Sequence, residues 1–184
     1  GPPLAGAGDR DSRPEREPAG GDAVSGRGFT LRALATPGHT ANHLAFALEE
    51  EAALFSGDHV MAWSTSIVAP PDGAMSDYMA SLQKLVGRDD RVYWPGHGGP
   101  VADPQRWVRG LLTHRRQRET AILERLAAGD ERIADIVPKL YPDIAPALRG
   151  AAALSVYAHL EDLVGRGLAS ADGMPALDSR YRRA

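Results

Sequence analysis

The sequence predicts an α/β protein in which a sheet of short strands is followed by a helical tail. Two observations lead to this class. Short apolar or alternating runs of strand type recur between residues 29 and 94, and glycine-containing turns end most of them. From Pro104 onward the apolar residues instead recur with helical spacing. This order predicts one α/β domain with a smaller helical unit behind it.

Residues 1–28 differ from the rest of the chain in composition. They hold seven Gly and four Pro, together with charges of both signs. A segment of this kind buries little apolar surface and cannot offset the entropy that it would lose on ordering. We therefore expect a flexible linker or long loop. Because the sequence opens with Gly1 and not with methionine, we also expect a fragment or a processed product.

Four strands and one helix are predicted before Pro104. The strands are expected at residues 29–34, 43–48, 52–56 and 92–94. A loop rich in Ser, Pro and Gly, over residues 61–73, follows the third strand. The helix is expected to be capped by Ser76 or Asp77 and to run to about Val86. Its apolar face would consist of Tyr78, Met79, Leu82, Leu85 and Val86.

The remainder of the chain is predicted to be helical, with a small β-wing near its end. Helices are expected at residues 104–128, 132–141 and 146–165, the last with a break near Gly150. A strand at residues 168–170 and a turn at Gly173 would form the wing. Three helices and a wing indicate a winged-helix arrangement. The predicted divisions are a linker at 1–28, an α/β domain at 29–128 and a winged-helix-like tail at 129–184.

Composition excludes several classes of protein. The content of 43% hydrophobic and 24% charged residues is that of a globular protein. The net charge of −3 argues against a generally basic nucleic-acid binder. There is no cysteine, so any metal site must use His, Asp and Glu. Without a membrane-spanning run or a signal peptide, we expect a cytoplasmic protein with no membrane partner.

Three predicted strands end in turns that present a side chain able to bind a metal. His39 lies in TPGHT, Asp58 in SGDH and His97 in PGHG. Strand ends hold ligands rigidly, and the glycines let the backbone turn sharply. Imidazole and carboxylate groups suit a divalent metal such as zinc, manganese or iron. Each turn alone is more often an ordinary surface turn, but their recurrence predicts a shared metal site.

The other four histidines lack this setting, and we expect structural roles for His43, His59, His114 and His159. His43 begins a strand just after His39, so it is a candidate for supporting a ligand from behind. His59 follows Asp58 and is expected to point away from it, because neighbouring side chains alternate.

The run TPGHTANH, followed by FSGDH, a helix and VYWPGHGGP, resembles the metallo-β-lactamase fold superfamily. The spacings are 19 residues from His39 to Asp58 and 39 from Asp58 to His97. Residues 57–85, the run HRRQRE and the winged tail resemble the β-lactamase-like protein 2 branch. The resemblance covers roughly residues 22–170. It implies a four-layer αββα sandwich with a dinuclear site, usually zinc, in which His39 and His97 bind one metal each and Asp58 bridges both.

The chain departs from the family pattern in one respect. The family's His-x-His-x-Asp-His motif, in the N-terminal half of the fold, is absent here. The resemblance therefore implies the C-terminal half of a hydrolase that acts through a metal-bound hydroxide and holds up to two zinc ions. For this chain alone we expect at most one weakly held ion and little or no activity. The missing N-terminal half, or a homodimer, would be its partner.

Several substrates stay open. The resemblance implies a small-molecule ester, thioester or lactam-like substrate, with a single-stranded endoribonuclease acting on RNA as an alternative. Residues 104–126 carry six Arg against two Glu, which suits either a solvated helix face or an anion-facing surface.

Residues 130–184 hold eight acidic and seven basic residues, which favours packing of the tail on the hydrolase domain. A non-enzymatic winged-helix module that binds nucleic acid or a partner is the remaining alternative. The apolar loop at residues 63–71 either borders the active-site groove or covers the core.

Overall fold

The computed structural model describes residues 17–184. The elements in chain order are β1 Ala23–Gly26, β2 Phe29–Ala35, β3 Leu44–Leu48, β4 Ala53–Gly57, α1 Met75–Leu85, β5 Val92–Pro95, α2 Pro104–Ala127, α3 Ile133–Leu140, α4 Arg149–Gly165, β6 Ala169–Ala171 and β7 Tyr181–Arg183. A 3₁₀ turn at Pro146–Leu148 leads into α4. No helix among these residues is both long and apolar enough to cross a membrane.

Strands β1 to β5 form one sheet in the order of the sequence. The first four strands pair antiparallel with their neighbours. Strand β5 pairs parallel with β4, because α1 carries the chain back to the start of the sheet. Strands β2, β4 and β5 therefore run in the same direction, and their C-terminal ends lie at one edge. The predicted α/β class is confirmed.

One face of this sheet carries the main core. Alternate residues of the central strands, such as Ala47, Leu54 and Tyr93, are almost completely buried on this face. They pack against apolar residues of the first two helices: Met75, Tyr78, Leu82 and Leu85 from α1, and Val108, Leu111 and Leu112 from α2. The helical spacing of these residues explains why α1 and α2 form and which faces they bury.

The other face of the sheet exposes a row of aromatic rings. Phe46, Phe55 and Trp94 are aligned across β3, β4 and β5 by the strand register. Phe55 is 44% exposed and Trp94 is 46% exposed. Neighbouring apolar rings on one sheet face are typical of a surface that packs on another layer.

The C-terminal residues form a second core. Its buried members are Ile122 and Leu126 of α2, Ile133, Ile136 and Val137 of α3, Ala152, Val156, Leu160 and Leu163 of α4, and Ala169 and Tyr181 of the wing. Helix α2 contributes to both cores, and Ala158 of α4 packs in the first. The predicted winged-helix tail is confirmed, and its core begins within α2, upstream of the predicted division at residue 128.

The structure differs from the predicted linker over residues 1–28. Residues 1–16 lie outside the described residues. Ala23–Gly26 is strand β1, which pairs with β2 along its whole length. The glycines at positions 26 and 28 favoured a loop, but Gly28, with φ of 81°, makes the tight turn of this hairpin.

One local prediction was wrong: helix α1 starts at Met75, so Ser76 and Asp77 lie in its first turn and do not cap it. The break expected near Gly150 corresponds to the change from the 3₁₀ turn Pro146–Leu148 to α4, which begins at Arg149. The prediction missed a second strand of the wing, β7, which pairs with β6. Its three residues include two arginines and give no apolar pattern.

His159 is a buried titratable group in α4. Its side chain is almost fully enclosed, and neither ring nitrogen has a hydrogen-bond partner among residues 17–184. Burial lowers the pKa of His159 to about 3, and the nearby charges of Arg115 and Arg118 act in the same direction. The folded protein therefore resists protonation of His159, whereas the unfolded chain takes up that proton near pH 6.5.

Replacing His159 with Leu should make the protein less sensitive to acid. Above pH 6.5 the ring is neutral in both states, so it contributes no pH dependence there. Between pH 6.5 and 5 the unfolded state alone gains the proton, which costs the wild type about 2 kcal/mol of unfolding free energy. Urea unfolding at pH 7.5 and pH 5 measures the difference.

The matched control for this prediction is Ile136→Val, a change at a fully buried, non-titratable residue of the second core. It should cost roughly 0.5–1.5 kcal/mol equally at both pH values. A His159→Leu variant that loses as much stability as the wild type between pH 7.5 and 5 would contradict the assignment.

Candidate metal centre

The three predicted ligands lie at the shared edge of β2, β4 and β5. His39 is in the loop between β2 and β3, Asp58 directly follows β4, and His97 follows β5. Because these strands run in one direction, the turns after them meet. The sheet topology therefore brings together residues that are 58 positions apart in the sequence.

Both histidines face the same carboxylate oxygen. His39 Nε2 lies 3.8 Å from Asp58 Oδ2, and His97 Nε2 lies 3.7 Å from the same atom. The side chains of His39 and Asp58 are about one-third exposed, whereas the His97 side chain is 70% exposed. The site is thus open to solvent on the side of His97.

A hydrogen bond fixes the ring of His39. Its Nδ1 donates to the carbonyl oxygen of Ile67 at 2.6 Å. Since a carbonyl only accepts, the proton of a neutral ring resides on Nδ1 and the lone pair resides on Nε2. The nitrogen facing Asp58 is therefore the one that can bind a cation.

Asp58 has a second oxygen that lacks a partner. Oδ1 is buried and makes no hydrogen bond among residues 17–184. It lies against Gly96, where a methyl group would approach Oδ1 to 2.8 Å. An unpaired carboxylate oxygen is costly to bury, and a bound cation relieves that cost.

The donor set fits one side of a metal centre. Two donors about 2.1 Å from one zinc ion, at a tetrahedral angle, are about 3.4 Å apart. The observed 3.7 and 3.8 Å separations are a few tenths of an ångström longer. No group of three His, Asp or Glu side chains in the described part of the chain is already arranged to hold an ion. The chemistry of His39, Asp58 and His97 therefore suits a metal ion, but these three side chains do not form a complete coordination shell.

Two further histidines lie behind the predicted ligands. The ring centroid of His43 is 6.3 Å from that of His39 and 5.8 Å from that of His59. His59 is completely buried beside Tyr78, so it points into the core and away from the solvent side of Asp58, as the alternation predicted. Burial, followed by the charge of the neighbouring histidine, lowers the pKa of His43 to about 4 and of His59 to about 3.

The loop at residues 61–73 forms one wall of the site. Ile67 binds His39 through its carbonyl, and the Trp63 ring lies against Gly98 in the turn after His97. Trp63 is 69% exposed and Ile67 is 50% exposed. Asp72 Oδ1 accepts a hydrogen bond from the Ala41 N–H, which ties the loop to the His39 turn. The loop therefore borders the site with apolar surface.

Arg115 of α2 anchors this loop from inside. Its side chain is almost completely buried and donates to the carbonyl oxygen of Ser66 and the hydroxyl of Ser155. Ser66 in turn donates to the carbonyl oxygens of Asp58 and His59. Arg115 also lies over the ring of Tyr78 at 5.0 Å. The network links α2 to the backbone that carries Asp58.

The arginines of α2 have different roles. Arg118 donates to the Leu140 carbonyl and covers the Tyr141 ring. Arg125 pairs with Asp130. With Arg115, three of the six arginines bind other parts of the protein. Only Arg106, Arg109 and Arg116 are exposed without a partner among residues 17–184.

The site also uses groups that the sequence predictions missed. The Ile67 carbonyl has no residue-type signal, because every residue carries one. Arg115 had a signal: it is spaced three and four residues after Leu112 and Leu111, which places it on the apolar stripe of α2. An arginine on that stripe indicates a buried, hydrogen-bonded side chain.

Two family models match the chain. The model of the Metallo-beta-lactamase superfamily matches residues 2–97, which include His39, Asp58 and His97. The model of the Beta-lactamase associated winged helix domain matches residues 133–176, from α3 to the loop after β6.

Curated relatives match over most of the described residues. The Beta-lactamase-like protein 2 homolog of Caenorhabditis elegans is 36% identical over 149 residues, 80% of this chain and 49% of that protein. The Atrochrysone carboxyl ACP thioesterase of Aspergillus fumigatus is 36% identical over 103 residues, 56% of this chain and 31% of that protein. The chain thus spans half or less of the length of these relatives.

Solved structures have the same fold. A metallo-beta-lactamase family protein from Thermus thermophilus aligns with a TM-score of 0.76 at 32% identity, over 90% of this chain and 53% of that one. A Beta-lactamase domain protein from Burkholderia ambifaria aligns with a TM-score of 0.81 at 24% identity, over 92% and 52%. The second likeness concerns the fold alone.

Replacing Arg115 with Met should destabilise the protein much more than the same change at its neighbour Arg116. Loss of Arg115 leaves the Ser66 carbonyl without its buried donor, which costs about 1–3 kcal/mol. Arg116 is exposed, so its change should stay within about 0.5 kcal/mol. Chemical denaturation of both variants tests the difference, and equal midpoints would show that Arg115 does not anchor the loop.

Proposed function

This chain belongs to the metallo-beta-lactamase superfamily, and we propose that it supplies one side of a metal centre that hydrolyses an acyl thioester or a related carbonyl compound. One observation carries the proposal. The ε-nitrogens of His39 and His97 face a single oxygen of Asp58, at the edge where three strands end. This arrangement concentrates three metal-binding groups around one carboxylate.

The three side chains have distinct roles in this proposal. His39 and His97 would each donate the lone pair of a ring nitrogen. Asp58 would contribute Oδ2, which faces both rings, and Oδ1, which is buried beside Gly96. The Ile67 carbonyl keeps the ring of His39 in the required orientation and tautomer. A bound divalent ion such as zinc supplies Lewis acidity and lowers the pKa of a coordinated water. We propose that the complete fold would hold up to two such ions.

The walls of the site favour a substrate with an apolar acyl part. Trp63 and Ile67 present exposed apolar surface directly beside the turns of His97 and His39. Such surface can hold the acyl chain while the carbonyl carbon faces the ligands. Several relatives are named as thioesterases, which supports a thioester before a lactam-like ring.

Nucleic acid is the less favoured substrate. Half of the arginines of α2 bind other parts of the protein, which leaves a sparse cationic surface for RNA. In the winged tail, Arg180 and Arg182 pair with Glu131, and Arg182 also pairs with Asp172. These ion pairs neutralise much of the basic C-terminal segment and weaken the alternative of a DNA-reading module.

Completion of the site requires donors beyond these three. We propose that they come from a second β-layer, outside this sequence, that covers the sheet face of Phe46, Phe55 and Trp94, of which the last two are exposed. The matched residues cover only 49% of one relative and 53% of one solved structure, which leaves room for such a layer. A homodimer of this chain is the other way to cover the same face.

Zinc should bind weakly to the 184-residue chain, with at most one equivalent, because the candidate site unites three metal-binding side chains from residues 17–184. Changing His97 to Ala should weaken binding at least about tenfold, whereas changing His114, which lies on α2, to Ala should not. Isothermal titration calorimetry of the three proteins measures both effects. Tight uptake of two equivalents would contradict the half-site, and unchanged affinity in His97→Ala would contradict the ligand assignment.

Hydrolysis should depend on Asp58 in a protein that contains these residues together with a His-x-His-x-Asp-His half. Asp58→Asn removes charge from the centre and should lower kcat at least about 100-fold, or roughly 3 kcal/mol. The control Asp72→Asn keeps an acceptor for the Ala41 N–H. Assays with an acyl thioester and with single-stranded RNA test the substrate class. Activity on RNA alone would overturn the thioester proposal, and hydrolysis by Asp58→Asn at the wild-type rate would overturn the metal role.

A further inference from the structure

His43 connects two of the turns that carry the predicted ligands. It stands at the end of the loop that holds His39, opposite Thr36 at the start of that loop. The Thr36 N–H donates to the His43 carbonyl oxygen at 3.0 Å. The Thr36 hydroxyl and His43 Nδ1 share a hydrogen bond of 2.8 Å. Two bonds between the same residues therefore close the base of the loop.

The other edge of the His43 ring rests on the turn before Asp58. A methyl group at Gly57 would lie 2.6 Å from Nε2 and 3.1 Å from Cε1. The ring thus packs directly on the α-carbon of Gly57, where no side chain fits. Gly57 has φ of 53°, a left-handed conformation that suits glycine.

Gly57 also contacts the third turn. Its carbonyl oxygen accepts a hydrogen bond of 2.9 Å from the Gly96 N–H, next to His97. A continuous series of contacts therefore links Thr36, His43, Gly57 and Gly96. It connects the backbones on which His39, Asp58 and His97 are carried.

We infer that His43 is a positioning residue, which acts as a spacer between the His39 loop and the Gly57–Asp58 turn and sets the separation of His39 Nε2 from Asp58 Oδ2. The inference rests on the proposed function for its effect on metal binding. Thr36 supports it independently: its side chain is completely buried, and its hydroxyl is satisfied by His43. This bond fixes the orientation of the His43 ring against the His39 loop.

The test compares two substitutions of Thr36 that differ in one group. Thr36→Ser keeps the hydroxyl, whereas Thr36→Val keeps the shape and removes the hydrogen bond to His43. His43→Ala removes the spacer itself. Thr113→Val, at an exposed position of α2, controls for the loss of a threonine hydroxyl elsewhere.

The first readout is Co²⁺ titration of the full chain, followed by the visible spectrum of the bound ion. Thr36→Ser and Thr113→Val should bind Co²⁺ like the wild type, with the same spectrum. Thr36→Val and His43→Ala should bind about 10–100-fold more weakly, with altered band positions, because the ligands are no longer held in register. A wild-type chain that binds Co²⁺ together with variants that match it in affinity and spectrum would overturn the spacer role.

The second readout needs no metal. In ¹⁵N–¹H spectra of the metal-free proteins, Thr36→Val and His43→Ala should shift the amide signals of Gly57, Asp58 and Gly96, and Thr36→Ser should leave them in place. Unshifted signals would overturn the inference, whether or not metal binds. Shifted signals in a protein that binds no Co²⁺ would support the spacer and reject the proposed metal centre.

Discussion

The shared direction of β2, β4 and β5 is the constraint on which the rest of the site depends. Adjacent strands are about 4.8 Å apart, so β2 and β4 are separated by about 10 Å with β3 between them. His39 reaches Asp58 only because the loop after β2 crosses the end of β3. His97, from the neighbouring β5, needs no such crossing. The longer reach explains why the His39 loop is held from several sides: by Ile67, by Asp72 and by the Thr36–His43 pair.

The same edge is stabilised from within by α2. Arg115 connects this helix to Ser66, and Ser66 connects to the backbone of Asp58. Because α2 also contributes Ile122 and Leu126 to the second core, the winged tail and the site are parts of one continuous network. The tail thus has a structural connection to the site, and several of its basic residues are engaged in ion pairs within the tail.

The sequence predicts those parts of the candidate site that depend on local signals. Strands β2 to β5 alternate or are apolar, and Pro-Gly turns mark the positions of His39 and His97. Strands β1 and β7 were missed because each is short, lies at a sheet edge and lacks an alternating apolar pattern. The contacts of the Ile67 carbonyl and of the His43 ring arise between distant segments. Neither residue stands in a local sequence pattern that predicts its contact, so these contacts become visible only in the folded structure.

The open aromatic face and the candidate metal centre are two consequences of the same arrangement of strands. Phe55 and Trp94 lie on β4 and β5, the strands whose ends carry Asp58 and His97. A second layer packed on this face would therefore reach the ligand edge with its own strand ends. Burial of the rings and completion of the coordination shell would then be coupled, since a metal bound by both layers stabilises their association. By thermodynamic linkage, association of the two layers would raise the affinity for metal by the same factor by which bound metal raises the affinity of the layers for each other. Weak binding by one layer and tight binding by two is the behaviour that this geometry favours.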